Sequence, residues 1–312
     1  MKPKKLISIV TPCYNEEDTV EALYKQIKEV MDTLEEYTYE QIFIDNHSTD
    51  NTILKLRKIA NSDTNIKVII NTRNFGHIRS PFYGILQASG DMVIGIASDL
   101  QDPPLLIPEF IRKWEAGYKV VMGVKTSSKE RPIIFFVRKF YYQLLQRLSE
   151  IKLVENATGF GLYDKEVIEK LRSLNDPYPY FRGLVADLGY EIATVPFVQP
   201  QRNRGITKNN FYTLYDLAML GLTNHSKLPL RLATMLGFFT ALVSALIGLF
   251  YLVYKLTNWQ NFSLGLAPLA VGLFFFASVQ LIFLGIIGEY IGAIYTQVQK
   301  RPLVVEQERI NF

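Results

Sequence analysis

Residues 232–254 and 256–288 contain no charged side chain, and this pair of apolar runs limits the fold more than any other feature of the chain. A hydrocarbon core about 30 Å thick needs roughly 20 apolar residues at 1.5 Å of rise each, so both runs are long enough to cross it as helices. A hairpin packed inside a soluble domain would carry charges every turn or two on its outer face. The expectation is therefore two spans, at about 232–254 and 264–288. Asn258, Trp259, Gln260 and Asn261 form a short polar connection with an aromatic residue suited to an interface. Lys227 and Arg231 precede the first span, Lys300 and Arg301 follow the second, and Lys255 alone borders the connection. By the positive-inside rule both termini are expected in the cytoplasm.

The 312 residues leave room for one domain of about 200 residues ahead of the hairpin. The division expected is a cytoplasmic α/β domain over 1–208, an interfacial helix over 209–230, the hairpin over 231–290 and a cytoplasmic tail over 291–312. A net charge of +4 gives no reason to expect a nucleic-acid partner, and the single cysteine, Cys13, excludes an internal disulfide framework. The basic start leads into an apolar segment that ends at Pro12, too short for a signal peptide, so the first domain is expected to stay at the cytoplasmic face of an inner membrane.

Within that domain, runs of β-branched and apolar residues at 6–11, 41–44, 67–70, 92–97 and 119–123 read as strands. Helical spacing of apolar residues over 18–34, 51–60, 78–88 and 105–116 fills the gaps between them. Such alternation predicts a parallel sheet covered by helices, with ligands outside the carboxyl ends of the strands. The segments at those ends are Pro12-Cys13-Tyr14-Asn15-Glu16-Glu17, Asp45-Asn46-His47-Ser48-Thr49-Asp50, Asn71-Thr72-Arg73-Asn74-Phe75-Gly76 and Ser98-Asp99-Leu100-Gln101-Asp102-Pro103-Pro104. They are polar, acidic and rich in turn formers.

Four of these motifs in order, together with the hairpin, resemble the family 2 glycosyltransferases of the GT-A fold. Their closest likeness is to the polyprenyl-phosphate glycosyltransferase branch, which includes dolichol-phosphate mannose synthase and bacterial undecaprenyl-phosphate glucosyltransferases. The resemblance implies a Rossmann-like, mostly parallel catalytic domain and two partners, a nucleotide diphosphosugar donor, expected to be UDP-linked, and a polyprenyl phosphate acceptor drawn from the membrane lipids. It implies that Pro12, Tyr14, Glu16, Asp45 and Asn74 contact the donor.

A departing nucleotide diphosphate carries several negative charges, which a divalent cation on hard oxygen ligands neutralises. Asp99, with Gln101 two positions on in an expected extended segment, is the candidate pair for Mg²⁺ or Mn²⁺. The family's further acid two positions before Asp99 is Ala97 here, so a ligand would be borrowed, with Asp102 the candidate; the alternative for Asp102 is a turn residue ahead of two prolines. Likewise Asn46 stands where a second acid is expected beside Asp45, and Gly159 where relatives place a proposed catalytic base. Glu16 and Glu17 have a competing reading as first-turn helix charges, and Asp50 reads as a helix cap.

A lipid phosphate, whose second pKa is about 6, is largely dianionic at neutral pH and needs positioning and charge relief more than a base. Arg202, Arg204 and Lys208 resemble the family's Arg/Lys element and are the catalytic candidates for that role alongside Asp99; a polybasic contact with anionic headgroups is the alternative. Arg182 resembles a family position facing the site. The aromatic segments 131–147 and 209–222 are expected at the membrane surface, the first equally readable as a core helix with snorkelling arginines. His47 and His77 read as local structure, and His225 shares no metal-ligand spacing with them. Gly237, Gly248, Gly285, Gly288 and Gly292 leave close helix packing and a homo-oligomer open.

The expected activity is inverting transfer of a hexose or N-acetylhexosamine to the lipid phosphate, making a lipid-linked sugar donor for cell-envelope glycan. Two alternatives stand beside it. A processive polysaccharide synthase would share the donor site but needs more spans; a degenerate scaffold or nucleotide-sugar sensor would account for the three missing acids.

Overall fold

The computed structural model describes residues 3–127, 153–200, 219–221, 223, 226–258 and 266–312. Its centre is an eight-stranded mixed sheet whose core strands alternate with helices. The elements are β1 (Lys5–Cys13), α1 (Val20–Asp32), β2 (Tyr37–Asp45), α2 (Thr52–Ser62), β3 (Ile66–Asn71), α3 (Gly76–Gln87), β4 (Met92–Gly95), α4 (Ile107–Glu115), β5 (Val120–Ser127), β6 (Ala157–Asp164), α5 (Lys165–Leu174), α6 (Phe181–Asp187), β7 (Ile192–Val198), α7 (Leu228–Thr257), α8 (Leu266–Gln299) and β8 (Glu306–Ile310). All nine strands and helices expected in the first half form, with ends shifted by a few residues.

Strand order is β7-β5-β6-β4-β1-β2-β3-β8. β1 pairs in parallel with β2 on one side and with β4 on the other, so chain order reverses at β1. That switch point opens a crevice at the carboxyl ends of β1 and β4, where open α/β sheets bind ligands. β6 runs antiparallel between β4 and β5, which brings its first residues, from Ala157, to the same edge.

The central strands read as nearly continuous apolar runs because helices cover both faces. On one face Ile7, Ile9, Leu23, Ile27, Ile94, Phe110 and Phe160 pack together; on the other Val10, Ile44, Phe82, Ile85, Tyr163 and Ile168 do so. Each fully buried branched or aromatic side chain contributes roughly 1.5–3 kcal/mol. α3 lies especially close to the sheet: a Cβ at Gly84 would stand 2.8 Å from Cγ2 of Ile44, so only glycine fits there.

Sequence patterning did not disclose β8. The chain end expected as a tail supplies an antiparallel edge strand beside β3. Its residues, Glu306-Gln307-Glu308-Arg309-Ile310, are charged because an edge strand has one face in water and gains from charges that deter further pairing.

α7 and α8 are each long and apolar enough to cross a membrane, and no part of either apolar window is buried against the protein. That exposure separates them from core helices of a soluble domain and supports membrane anchoring. The polar connection at 259–261 lies outside the described residues, as does the segment 131–147 and all of 209–222 except residues 219–221. The span glycines are not used for contact between the two helices: a Cβ at Gly237, Gly248, Gly285, Gly288 or Gly292 would meet nothing within 4 Å.

Candidate active site

The loops after β1 and β2 are stitched together by backbone donors and short polar acceptors. Asn15, at φ 54°, donates its N–H to Ser48 Oγ at 2.9 Å and accepts from Thr49 N at 2.8 Å through Oδ1. Glu16 N donates to Thr52 Oγ1 at 2.9 Å and Glu17 N to Asp50 Oδ2 at 3.2 Å. Asp50 also accepts from Thr52 N at 3.0 Å, so its carboxylate serves the first turn of α2 from one residue ahead of the cap. Glu16 accepts from the Thr19 hydroxyl at the start of α1, in keeping with a helix-start role. Pro12 and Tyr14 are half-buried beside them.

Asp45 is fully buried at the end of β2, level with Cys13 at the end of β1. Its two oxygens accept from Ser48 N at 2.8 Å and Ser48 Oγ at 2.5 Å. Burial pushes its carboxyl above the ordinary value, and the Ser48 bonds offset part of that rise. Asn46 uses both ends of its amide: Nδ2 donates to Asn74 Oδ1 at 2.9 Å and Gly76 O at 3.1 Å, while Oδ1 accepts from Phe75 N at 2.8 Å and Asn71 Nδ2 at 3.2 Å. An aspartate could not donate the first two. Asn46 thus holds the β2 loop to the β3 loop, and the Asn74 side-chain oxygen is engaged in the same knot, where it also accepts from Gly76 N at 2.8 Å. His47, at φ 67°, sits 3.3 Å from Asn71 O through Nδ1.

The Asp99 segment corrects one expectation. It is a turn, not an extended run: Leu100 takes φ 59° and Gln101 N donates to Asp99 Oδ1 at 3.2 Å. Asp99 and Gln101 therefore do not present their side chains by strand alternation. Gln101 Nε2 instead reaches Pro200 O at 3.4 Å, at the threshold of the segment carrying Arg202, Arg204 and Lys208, which lies outside the described residues together with His225. The turn swings Asp102 inward. The residue is 5 % exposed and its carboxylate accepts from Ala97 N at 3.1 Å, so it stands against the backbone at the position where the resemblance implies a further acid. Burial lifts its pKa to about 6, with Asp99 adding to the rise while the Ala97 N–H and Lys125 oppose it.

Asp102 opens onto a cavity of about 690 Å³ between β4, α3 and the β5–β6 edge, lined also by Pro12, His77, Lys125, Gly159 and Arg182. Arg182, at the start of α6, donates through Nη1 to Ala157 O at 2.7 Å and so fixes the first residue of β6. Gly159 takes φ 96° with open space where a Cβ would project; an acid there would fit sterically but strain the backbone. Lys125 was not anticipated, although it stands at the end of β5 and the strand-end rule that selected the other loops reaches it too. His77, read as local structure, lines the cavity.

Among the described residues there is no cluster of three or more His, Cys, Asp or Glu side chains suited to a metal. Mg²⁺, however, is commonly held by one or two carboxylates with the remaining positions filled by water and substrate phosphates. Asp99 and Asp102 repel one another and Asp102 is buried, which is the arrangement a divalent cation relieves. Asp99 and Asp102 thus supply two carboxylates of the kind such an ion uses.

The family model described as glycosyl transferase family 2 matches residues 8–172. An uncharacterized glycosyltransferase of Synechocystis sp. is 38 % identical over 298 residues, covering 95 % of this chain and 93 % of that protein. An SfII prophage-derived bactoprenol glucosyl transferase of Shigella flexneri is 36 % identical over 297 residues, covering 95 % of this chain and 96 % of its own. Among solved structures, glucosyl-3-phosphoglycerate synthase from Mycobacterium tuberculosis, in complex with Mn²⁺, UDP and phosphoglyceric acid, is 22 % identical with a TM-score of 0.49, over 70 % of this chain and 76 % of that one.

Proposed function

The chain belongs to the family 2 glycosyltransferases, and on that premise we propose that it is an inverting, membrane-anchored enzyme moving one hexose or N-acetylhexosamine from a nucleotide diphosphosugar to a polyprenyl phosphate. The observation that carries this reading is likeness over almost the whole chain, both apolar helices included, to a protein named for glucosyl transfer to bactoprenol. A UDP-linked donor suits the polar loops after β1, β2 and β3, which carry Pro12, Tyr14, Glu16, Asp45 and Asn74. The catalytic domain and both termini are assigned to the cytoplasmic side of the inner membrane, where nucleotide sugars are made and where Lys227, Arg231, Lys300 and Arg301 flank the spans.

Asp99 and Asp102, with Gln101 nearby, would hold Mg²⁺ or Mn²⁺. The ion supplies charge neutralisation to the departing diphosphate. A phosphate oxygen of the acceptor attacks the anomeric carbon as the bond to the nucleotide diphosphate breaks, and the electron pair leaves with the diphosphate. Because the acceptor is largely dianionic at neutral pH, no proton has to be removed, and glycine at position 159 is compatible with turnover. Arg182 and Lys125 on the cavity wall, with Arg202, Arg204 and Lys208 downstream, bring positive charge to a site where two phosphates must approach.

The test is transfer into the lipid phase by the purified full-length protein, given undecaprenyl phosphate, Mg²⁺ or Mn²⁺ and a panel of nucleotide sugars. Metal-dependent labelling from one donor is expected. No labelling from any donor, with nucleotide binding intact and a relative active alongside, would return the weight to the scaffold or sensor alternative.

A further inference from the structure

β6 breaks its ladder where it reaches the cavity. Ala157 pairs with Val124 and Gly161 with Met122, so Gly123 of β5 faces three residues of β6: Thr158, Gly159 and Phe160. A bulge of this kind turns backbone groups out of the ladder, and those groups then need other partners. Two side chains hold it at alternate carbonyls. Arg182 donates to Ala157 O at 2.7 Å, and the hydroxyl of Tyr163 donates to Gly159 O at 3.1 Å.

Tyr163 is fully buried in the cluster that joins the sheet to α3, α5 and α6. It bears on the cavity through its neighbours. Its ring meets that of Phe181 edge-on with centres 5.0 Å apart, and Phe181 meets Phe82 edge-on at 6.1 Å. Gly159, Phe181, Phe82 and Arg182 all line the cavity. An apolar ring without the hydroxyl would fill the same space, so the hydroxyl is accounted for by the carbonyl it bonds. Burial raises its pKa, with Arg182 opposing and Asp102 adding, so at neutral pH the group keeps its proton and donates.

We propose that Tyr163 is a positioning residue for the acceptor phosphate: its hydroxyl pins the Gly159 carbonyl and so fixes the bulge at 158–160 that forms the acceptor's side of the cavity. Glycine creates the need for a pin. At φ 96° and without a Cβ, Gly159 can turn its peptide planes at small cost. Once released, its carbonyl oxygen is free to rotate into the cavity, where the negative end of the dipole faces an incoming phosphate. The strand order decides that the acceptor feels this and the nucleotide does not. β6 lies beyond β4, on the opposite side of the switch point from the β2 and β3 loops that suit the donor. The inference rests on the proposed reading of the cavity as the place where acceptor meets donor.

Binding tests it without turnover. The purified full-length protein in detergent is titrated with undecaprenyl phosphate, and separately with UDP and Mg²⁺, and occupancy is read by native mass spectrometry for wild type, Tyr163→Phe and Asn311→Ala. The last loses two hydrogen bonds at the β8 edge, remote from the cavity, and shows what general loosening does. Tyr163→Phe is expected to bind undecaprenyl phosphate about 3- to 10-fold more weakly, the effect of one hydrogen bond, and UDP as wild type does. Asn311→Ala should bind both as wild type does. In turnover the same split reads as a raised KM for the lipid with an unchanged KM for the nucleotide sugar. Hydrogen exchange at 158–160 should rise in Tyr163→Phe while β1 keeps its protection. Undiminished lipid binding by Tyr163→Phe, or equal weakening of lipid and UDP, would overturn the proposal and leave the proposed function standing. A wild type that binds UDP but no undecaprenyl phosphate would overturn the acceptor reading, and the proposal with it.

Discussion

The carboxylate of Asp102 accepts from the backbone N–H of Ala97 at 3.1 Å, which seats an acid against the residue where the family resemblance implies one. The turn that Leu100 makes at φ 59° brings that carboxylate beside position 97. Of the three positions where the resemblance implies an acid, Ala97 has this carboxylate beside it, Asn46 is a structural amide, and Gly159 lies at a backbone position that disfavours a side chain.

Asp102→Asn keeps the shape of the carboxyl and removes its charge. If Asp102 supports the ion and the diphosphate, kcat falls about 10²- to 10³-fold, and the metal concentration for half-maximal rate rises about tenfold or more. Asp99→Ala should remove nearly all activity, and a chelator should do so reversibly in wild type. Melting temperatures near wild type would show that chemistry and not folding was lost; wild-type turnover by both variants would refute the site.

Asn46→Asp introduces the acid that the family resemblance implies and should nevertheless harm the protein. The new carboxylate faces Asn74 Oδ1 and the carbonyl of Gly76, each of which loses a donor. Each hydrogen bond lost costs about 0.5–1.5 kcal/mol. Denaturation of the variant should show a loss on the order of 1–3 kcal/mol; unchanged stability would mean that the knot between the β2 and β3 loops does not depend on this amide.

Gly159→Asp would supply the base that the family resemblance implies, yet φ 96° is a conformation that L side chains rarely adopt. A strain of about 1–3 kcal/mol is expected, with Gly159→Ala paying a similar amount. No gain in rate should follow, since a dianionic acceptor needs no base. A variant that is both stable and faster would show that proton removal does limit the reaction.

Glu40 gives the fold an acid-sensitive clamp remote from the site. It is 4 % exposed, and its oxygens accept from Ser8 Oγ at 2.5 Å, Ser89 N at 2.9 Å and Ser89 Oγ at 2.8 Å, with Lys67 Nζ at 2.6 Å. Burial alone would raise its pKa, but Lys67, Ser8 and Ser89 outweigh it and leave the carboxyl below the usual value near 4.5. A depressed folded value stabilises the native state above the unfolded pKa and ceases to do so as pH falls through the folded one. Wild type should therefore lose stability more steeply than Glu40→Gln below about pH 4.5, whereas parallel acid limbs would show that the carboxylate is not held as described.

Much of this architecture is legible in the residues. Periodicity finds the first five strands because both sheet faces are covered, and the switch point at β1 then places the first four loops at one edge. Asp45 shows in this way, since a lone acid ending an apolar strand has little structural reason to be there. Asn46 and Asp102 do not. The role of Asn46 depends on partners 25 to 30 residues away, and that of Asp102 on a non-glycine residue entering the left-handed region, which no propensity announces. Lys125 needed only that the fifth strand end be read as the first four were.

β8 escaped because its five residues carry charges that suit a solvated segment equally well, and its partners lie some 240 residues upstream. Asn311 closes it: Nδ2 donates to Ala60 O at 2.8 Å and Ile66 O at 2.9 Å, and Tyr83 OH donates to Glu306 Oε1 at 2.9 Å. Arg57 pairs with Glu308 across the same edge. This strand follows α8 directly, so it ties the end of the second apolar helix to the sheet on the side of β3, whose loop carries Asn74. Asn311→Ala should cost about 1–2 kcal/mol through the two carbonyls it releases. Hydrogen exchange should then rise first in β8 and at the exposed edge of β3, while β1 and β4 keep their protection. Uniform loss of protection across the sheet would instead mean that β8 is part of the cooperative core and not a strap laid on its edge.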